Sequence, residues 1–250
     1  MVHVSIGSLV LLLVAGAAAG LVGYISGLAS LVSYPALLAV GLNPLLANTT
    51  NTLAQVGAGM GATLRAGRQV WAGGRRRTLQ QLAIAAIAGA AGGALLVATG
   101  ESSFGKVAPW LILFASLMML ASPHLWRLRG ESGHWAGYLV ALVPVCLYGG
   151  YFGAGAGVVF LAAVLMLTTQ EYRQSVLMKS VLLAVSNLTA SIIFICFTTV
   201  DWLVVAVMFV GQLIGGSLGP AVQRHVPNSV SRWVIAVGGV VMACWLWMRG

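Results

Sequence analysis

The chain has 250 residues, of which 60% are hydrophobic and only 7% are charged, with a net charge of +9. A soluble domain of this size is nearer half apolar and a quarter charged, so these few charges could not cover a water-facing surface. The composition therefore excludes a soluble globular enzyme, a disordered protein and a free nucleic-acid-binding protein. It predicts an all-α, polytopic membrane protein.

Apolar segments long enough to cross a bilayer, about 20 residues each, recur along the chain. The first lacks a preceding basic residue and does not stop at a cleavage-like site, so it is expected to be a membrane helix and not a signal peptide. Two shorter segments, 31–41 and 157–168, each follow a glycine-containing break and are predicted to be half-helices. About eight transmembrane helices are predicted, at 5–27, 46–66, 78–99, 107–122, 135–153, 173–198, 201–222 and 230–248.

Basic residues concentrate in one stretch between the second and third predicted spans. Such a cluster beside an apolar span indicates a cytoplasmic loop, and binding of anionic lipid headgroups is the alternative. The excess of positive charge is therefore assigned to membrane topology and not to nucleic acid. The cluster consists of Arg65, Arg68, Arg75, Arg76 and Arg77.

The chain repeats itself, without a gap, when it is shifted by 127 residues. This indicates two related repeats, 1–122 and 134–250, joined by a linker at 123–133 and holding four spans and one half-helix each. Internal duplication is the usual architecture of secondary transporters, with the substrate site where the repeats meet. The charge distribution leaves open whether the repeats are parallel or inverted. The shift superposes Gly23 on Gly150, Tyr24 on Tyr151, Gly89 on Gly216, Gly92 on Gly219 and Ala94 on Ala221.

Two glycine-rich blocks, at 20–35 and 148–157, interrupt the apolar pattern. Glycine at such density is a poor helix former, and backbone groups freed inside a membrane must bind protein, water or a ligand. Unwound backbone beside half-helix termini is how many transporters build an ion or anion site, whereas close helix packing is the alternative. The candidate binding residues in these blocks are Ser26, Gly27, Ser30, Gly153, Gly155 and Gly157.

One face of the second predicted span is polar, because Asn48, Thr52 and Gln55 follow helical spacing. In a membrane that face must point toward protein or a water-filled cavity. Interhelical hydrogen bonding, worth about 0.6 kcal/mol per pair, is the alternative to substrate binding. Thr50, Asn51 and Thr52 are the candidates for hydrogen bonds to a substrate.

Lys179 is the ionisable residue predicted to lie well inside a span, the sixth. A charge at mid-membrane costs roughly 2.5–3.5 kcal/mol on insertion scales, and no acidic residue in the same span can neutralise it. Either its ammonium group binds an anionic substrate, or its long side chain reaches back to the interface. Asn187 and Gln212 are weaker candidates for the same cavity, and the Gly211–Gly219 run around Gln212 is first a helix-packing face.

Patterns that indicate enzymes are missing from the sequence. There is no HExxH, no GxSxG, no phosphate-binding GxxxxGK[ST] and no paired intramembrane aspartate. The histidines fall near span ends or in loops, and the three cysteines lack metal-binding or disulfide spacing, so they are expected to be buried thiols. We therefore expect no enzymatic activity, no cofactor and no metal.

At these blocks the sequence resembles the TauE/SafE family, also called the 4-toluene sulfonate uptake permease family. One branch carries a pattern close to GFIDAIAGGGGLITLPALL followed by ATNKLQ, which 20–38 and 48–54 resemble here. The second half is similar to the family at 150–157, at 178–187 and at 211–216. Where that branch has a lysine in its first half this chain has Thr52, which leaves Lys179 as the remaining charge.

The resemblance implies a multi-pass permease of the bacterial inner membrane for a small sulfur-containing anion such as sulfite, a sulfonate or sulfoacetate. The expected partners are this substrate and membrane lipid, with no nucleic acid, and a homodimer is left open. A passive anion channel and a non-transporting scaffold subunit are the alternatives. Proton symport through Glu171, the acidic residue nearest to the predicted site, is a hypothesis for coupling.

Overall fold

The chain is helical throughout the part that the computed structural model describes, residues 5–127 and 133–222. This confirms the all-α class for those residues. The elements are α1 (Ile6–Ser26), α2 (Ser30–Ala39), α3 (Pro44–Ala66), a 3-10 helix (Gly67–Trp71), α4 (Arg75–Arg127), α5 (Trp135–Tyr151), α6 (Ala156–Leu167), α7 (Tyr172–Phe197) and α8 (Trp202–Val222).

Four helices of the described residues are long and apolar enough to cross a membrane, namely α1, the Arg75–Met118 part of α4, α7 and α8. The helices α2, α5 and α6 are apolar but shorter. The polar residues of α3 lower its mean hydropathy, although it has 23 residues. Large apolar side chains such as Ile87 and Val140 are exposed on the outer surface, as lipid contact requires. The eighth predicted span, 230–248, lies outside the described residues, and the count of eight stays a prediction.

Both predicted half-helices are present, and each follows a break at glycine. Helix α1 ends where Gly27 adopts a left-handed conformation (φ 82°) and donates its N–H to Gly23 O. The break between α5 and α6 contains Gly153 (φ 78°) and Gly155 (φ 80°). An L side chain would cost about 1–2 kcal/mol in this conformation, so glycine is what allows the chain to turn at these places.

The predicted loop between the third and fourth spans is reduced to a single interruption in α4. Gly100 is the residue with non-helical backbone angles (φ 72°, ψ 169°), and the helix continues to Arg127, beyond the predicted end at 122. The polar residues after Gly100 suggested a loop. They remain helical because Phe104 is buried and packs edge-on against Tyr151 and tilted against Phe152.

Helices of one half of the chain pack on the other half. Helices α1 and α3 pack on α8, α5 and α7 pack on α4, and α3 and α7 contact each other. A Cβ at Gly219 of α8 would overlap the Tyr24 side chain of α1, and a Cβ at Gly92 of α4 would lie 2.8 Å from Tyr151 N of α5. The two contacts are equivalent under the 127-residue shift, since Gly219 corresponds to Gly92 and Tyr24 to Tyr151. The small-residue face at Gly211–Gly219 is thus a packing face, as predicted.

The expectation of buried thiols holds at one of the two described cysteines. Cys146 of α5 is buried, whereas Cys196 near the end of α7 is exposed. A thiol is nearly apolar and can face lipid as well as the protein interior. Apolar neighbours in the sequence therefore could not show which of the two cysteines is buried. Cys244 lies outside the described residues.

Candidate substrate site between the two helix breaks

The two helix breaks contact each other through glycine. A Cβ built on Gly27 would lie 2.7 Å from Gly157 Cα, so neither position has room for a side chain. Gly27 ends α1 and Gly157 lies in the first turn of α6. The irregular backbone of each half therefore meets that of the other inside the protein, where freed polar groups can find partners.

Lys179 of α7 reaches this junction and is only 1% exposed. Its Nζ donates hydrogen bonds to Gly23 O (2.9 Å) and Tyr24 O (2.6 Å), at the C-terminal end of α1. The side chain passes so close to Gly157 that a Cβ there would lie 3.0 Å from Lys179 Cδ. The alternative that Lys179 reaches back to the membrane interface is wrong.

The ammonium group of Lys179 has protein partners, although no acidic residue of its own span can neutralise it. These partners are backbone carbonyls of α1, so the ammonium group does not need a carboxylate from its own span as a partner. The C-terminus of a helix carries a partial negative charge, which stabilises a cation placed there. Lys179 thus caps the broken helix α1: it supplies the donor that Tyr24 O lacks and adds a second donor to Gly23 O, which also accepts from Gly27.

One N–H of the ammonium group is left over. An ammonium has three donors, and the two carbonyls take two of them. The acidic residues of the described part, Glu101, Glu171 and Asp201, do not line the cavity beside Lys179. Helix dipoles offset only part of a full charge, so a protonated Lys179 gives the site a net positive charge and a donor without a partner among the described residues.

A cavity of about 40 Å³ lies next to this ammonium group. That is room for about two or three water molecules. Its polar side chains are Tyr24 of α1, Gln55 of α3, and Lys179, Ser180 and Asn187 of α7, and the α1–α2 break contributes Gly27 and Ala29. The cavity is therefore bounded by both halves of the chain and by backbone that is not helical.

A hydrogen-bonded network joins α2, α3 and α7 at one side of the cavity. Ser30 Oγ accepts from Asn51 Nδ2 (3.1 Å) and Gln55 Nε2 (2.8 Å), and Asn187 Nδ2 donates to Gln55 Oε1 at 3.5 Å. Because Ser30 Oγ accepts both bonds, its own hydroxyl proton is free of a partner among the described residues. The network adds a second available donor.

The start of α2 supplies further donors from the backbone. The N–H groups of Leu28, Ala29 and Ser30 bond to no acceptor in the described residues, while the first N–H that bonds back is that of Leu31. Such orphan groups give a helix N-terminus a partial positive charge that favours anions. Ala29 lines the cavity, so this end of α2 lies beside it.

Replacing Ser30 with alanine tests whether the network is structural. The buried amide of Asn51 and the half-buried amide of Gln55 would lose their acceptor, and an unsatisfied buried donor costs about 1–3 kcal/mol. We expect a lower unfolding temperature of the purified variant in a thermal melt. Thr189→Ala on α7, whose hydroxyl bonds only to carbonyls of its own helix, should melt at nearly the wild-type temperature. Equal melting of both variants with wild type would contradict the network.

Four of the twelve candidate residues, Gly27, Gly153, Lys179 and Asn187, line the cavity. Three more lie next to that lining: Ser30 bonds to Gln55, Asn51 bonds to Ser30, and Gly157 contacts Gly27 and Lys179.

The other five candidates do not face the cavity. Ser26 and Thr52 donate their hydroxyls to carbonyls of their own helices, Val22 O and Asn48 O, so these groups are already used. The other three are absent from the lining as well. The Gly155 backbone abuts Ala115 of α4, the fully buried Gln212 packs its backbone on Gly20, and Thr50 Oγ1 is buried with no partner among the described residues.

Two groups that sequence analysis did not assign to the site belong to it. Gln55 lines the cavity, and its spacing of four residues from Asn51 on the same helix was the available signal. The carbonyls of Gly23 and Tyr24 hold Lys179, and no side-chain pattern can indicate a backbone acceptor.

The sequence is similar to those of known proteins and matches one family. The family model described as Sulfite exporter TauE/SafE matches residues 12–246. The chain belongs to the TauE/SafE family. Among its relatives is the probable membrane transporter protein YfcA of Escherichia coli K12, 29% identical over 234 residues, 90% of this chain and 84% of that protein.

Two other TauE/SafE relatives have similar names. A probable membrane transporter protein of Haemophilus influenzae is 30% identical over 243 residues, which cover 96% of this chain and 94% of that protein. The probable membrane transporter protein ORF9 of a Sinorhizobium species is 29% identical over 216 residues, covering 84% and 81%. The chain is therefore a multi-pass membrane protein of a transporter family.

Proposed function

We propose that this TauE/SafE protein transports a small sulfur-containing oxyanion through the cavity between the two helix breaks. The observation that carries the proposal is the buried amine of Lys179, which has one N–H without a partner in the described residues and lies beside a cavity that none of their carboxylates lines. The free hydroxyl of Ser30 and the N–H groups that begin α2 add donors. A set made mainly of donors with a net positive charge favours an oxyanion over a cation or a neutral solute.

The order of the helices supports two repeats, and such an architecture favours a transporter over a passive channel or a scaffold. Under the 127-residue shift α1, α2, α3 and the first part of α4 superpose on α5, α6, α7 and α8, with ends that agree within a few residues. A binding site enclosed where two repeats meet suits alternating access, in which the repeats rock around a fixed site. The protein would act in the bacterial inner membrane, and nothing in the site requires a second copy.

A small substrate fits the dimensions of the site. A cavity of about 40 Å³ matches a compact anion such as sulfite better than a long sulfonate. The family description, which names sulfite export, agrees with this class.

Ligand-dependent stabilisation of the purified protein tests the proposal. We expect sulfite to raise the unfolding temperature in a saturable way at constant ionic strength, because a ligand that binds only the folded state stabilises it. Sulfate, thiosulfate, taurine and sulfoacetate would define the size limit. Saturable uptake in proteoliposomes distinguishes a transporter from a channel. Absence of both a shift and a flux with all five compounds would contradict the proposal.

A further inference from the structure

We propose that the C-terminal end of α5 binds a monovalent cation of the size of sodium, with the side chain of Asn48 as one ligand. The claim concerns binding and stands independently of which anion is transported. If the proposed function holds as well, this cation is the ion whose gradient drives transport.

The end of α5 has carbonyl oxygens that lack N–H donors. The N–H groups of Phe152 and Gly153 both bond to Tyr148 O, at 2.9 and 3.0 Å. As a result the carbonyls of Gly149 and Gly150, which are buried glycines, accept no hydrogen bond in the described residues. Such carbonyls give the helix end a partial negative charge.

Asn48 of α3 places a second unsatisfied oxygen at the same helix end. Its Nδ2 donates to Tyr151 O (2.9 Å), so the amide group lies against the end of α5. Its Oδ1 is buried and has no partner in the described residues, and the residue is 0% exposed. Burying an oxygen without a partner destabilises the fold, and a bound cation would remove that cost.

The matching end of α1 already holds a positive charge. Gly23 and Tyr24, whose carbonyls bind the Lys179 ammonium, superpose on Gly150 and Tyr151 under the 127-residue shift. Lys179 itself superposes on Thr52, a neutral residue whose hydroxyl bonds to its own helix. The first helix end thus receives a cation from the chain, and the second receives only a neutral amide. With a cation bound at the end of α5, both helix ends would face a positive charge.

The ligand chemistry selects a monovalent ion. The available groups are neutral oxygens, namely the backbone carbonyls of Gly149 and Gly150 and the amide oxygen of Asn48. Calcium and magnesium sites use carboxylates, and zinc, copper and nickel prefer nitrogen or sulfur ligands. Helix C-termini and unwound carbonyls in other transporters coordinate sodium in this way.

Thermal unfolding of the purified full chain in sodium, potassium or choline chloride at equal concentration tests the proposal. For a dissociation constant of about 10 mM, about 100 mM sodium should raise the unfolding temperature by about 3–6 °C relative to choline. The chloride concentration and the ionic strength are the same in all three salts. Binding of chloride to the anion site therefore raises the unfolding temperature equally in each. Identical unfolding temperatures in all three salts would overturn the proposal.

Two variants of Asn48 assign the effect to this site. Asn48→Leu should remove the sodium-dependent shift. Asn48→Asp should enlarge it, because the carboxylate would repel Tyr151 O in choline and attract sodium. Thr49→Ala, which loses a hydroxyl bonded within α3, is the matched control and should keep the wild-type shift.

Each result with the variants decides the assignment. A wild-type shift that survives unchanged in both Asn48 variants overturns it. If Asn48→Leu does not fold, Asn48→Asp decides alone. Sulfite stabilisation measured in choline tests the proposed function separately, so that either idea can fail without the other.

Discussion

Lys179→Met is expected to reduce anion flux in proteoliposomes by about 10–100-fold. Methionine keeps most of the length of the side chain and removes the charge and all three N–H donors. A hydrogen bond to a charged group is worth about 1.5–3 kcal/mol, and each 1.4 kcal/mol is a factor of ten. Flux should fall mainly because the anion loses its counter-charge.

The variant must be separated from a folding defect, because Lys179 also caps α1. Ser186→Ala is a matched control on the same helix, since Ser186 Oγ donates to Cys146 O of α5 at 2.8 Å and carries no charge. It removes one bond from α7 to a backbone carbonyl and should leave flux near wild type. Lys179→Arg should retain part of the flux. Flux that is unchanged in Lys179→Met would remove the ammonium from the transport mechanism.

Gly157→Ala is expected to have the second large effect, on both stability and flux. Its methyl group would lie 3.0 Å from Lys179 Cδ and would overlap the backbone of Gly27. Forcing an extra methyl into a packed site costs about 1–3 kcal/mol, which for a chain of this size lowers the unfolding temperature by about 3–10 °C. The two helix breaks would separate and the cavity would change shape.

Alanine variants of two other glycines distinguish steric overlap from the general effect of replacing glycine with alanine. At Gly105 nothing lies within 4 Å of a built Cβ, so Gly105→Ala in α4 should be neutral or slightly stabilising. Gly100 also has open space but a positive φ of 72°, so Gly100→Ala should show backbone strain alone. If Gly157→Ala melted at the same temperature as Gly105→Ala, the two breaks would not be in contact.

Much of the fold followed from the sequence because the signals were local. Apolar length predicted the helices, and glycine density predicted the breaks that end α1 and α5. The cost of a buried charge in a membrane predicted that Lys179 has a specific role. Each of these signals depends on a few neighbouring residues.

The partners across the site could not be predicted, because they are backbone groups or depend on helix rotation. Lys179 binds carbonyls about 155 residues away in the chain. Every residue has a backbone carbonyl, so the sequence does not show which ones are acceptors. Thr52 looked like a donor to substrate, but a threonine in a helix can bond to the preceding turn and here does so. Gln212 was assigned to the cavity from polarity alone, and the structure buries it behind Gly20, outside the lining.

Equilibrium binding of radiolabelled sulfite to the purified protein tests the central claim most directly, since it involves neither coupling nor reconstitution. The account predicts saturable binding by the wild type, retained binding by Ser186→Ala and no detectable binding by Lys179→Met in samples of equal folded fraction. Wild-type affinity in folded Lys179→Met would contradict it.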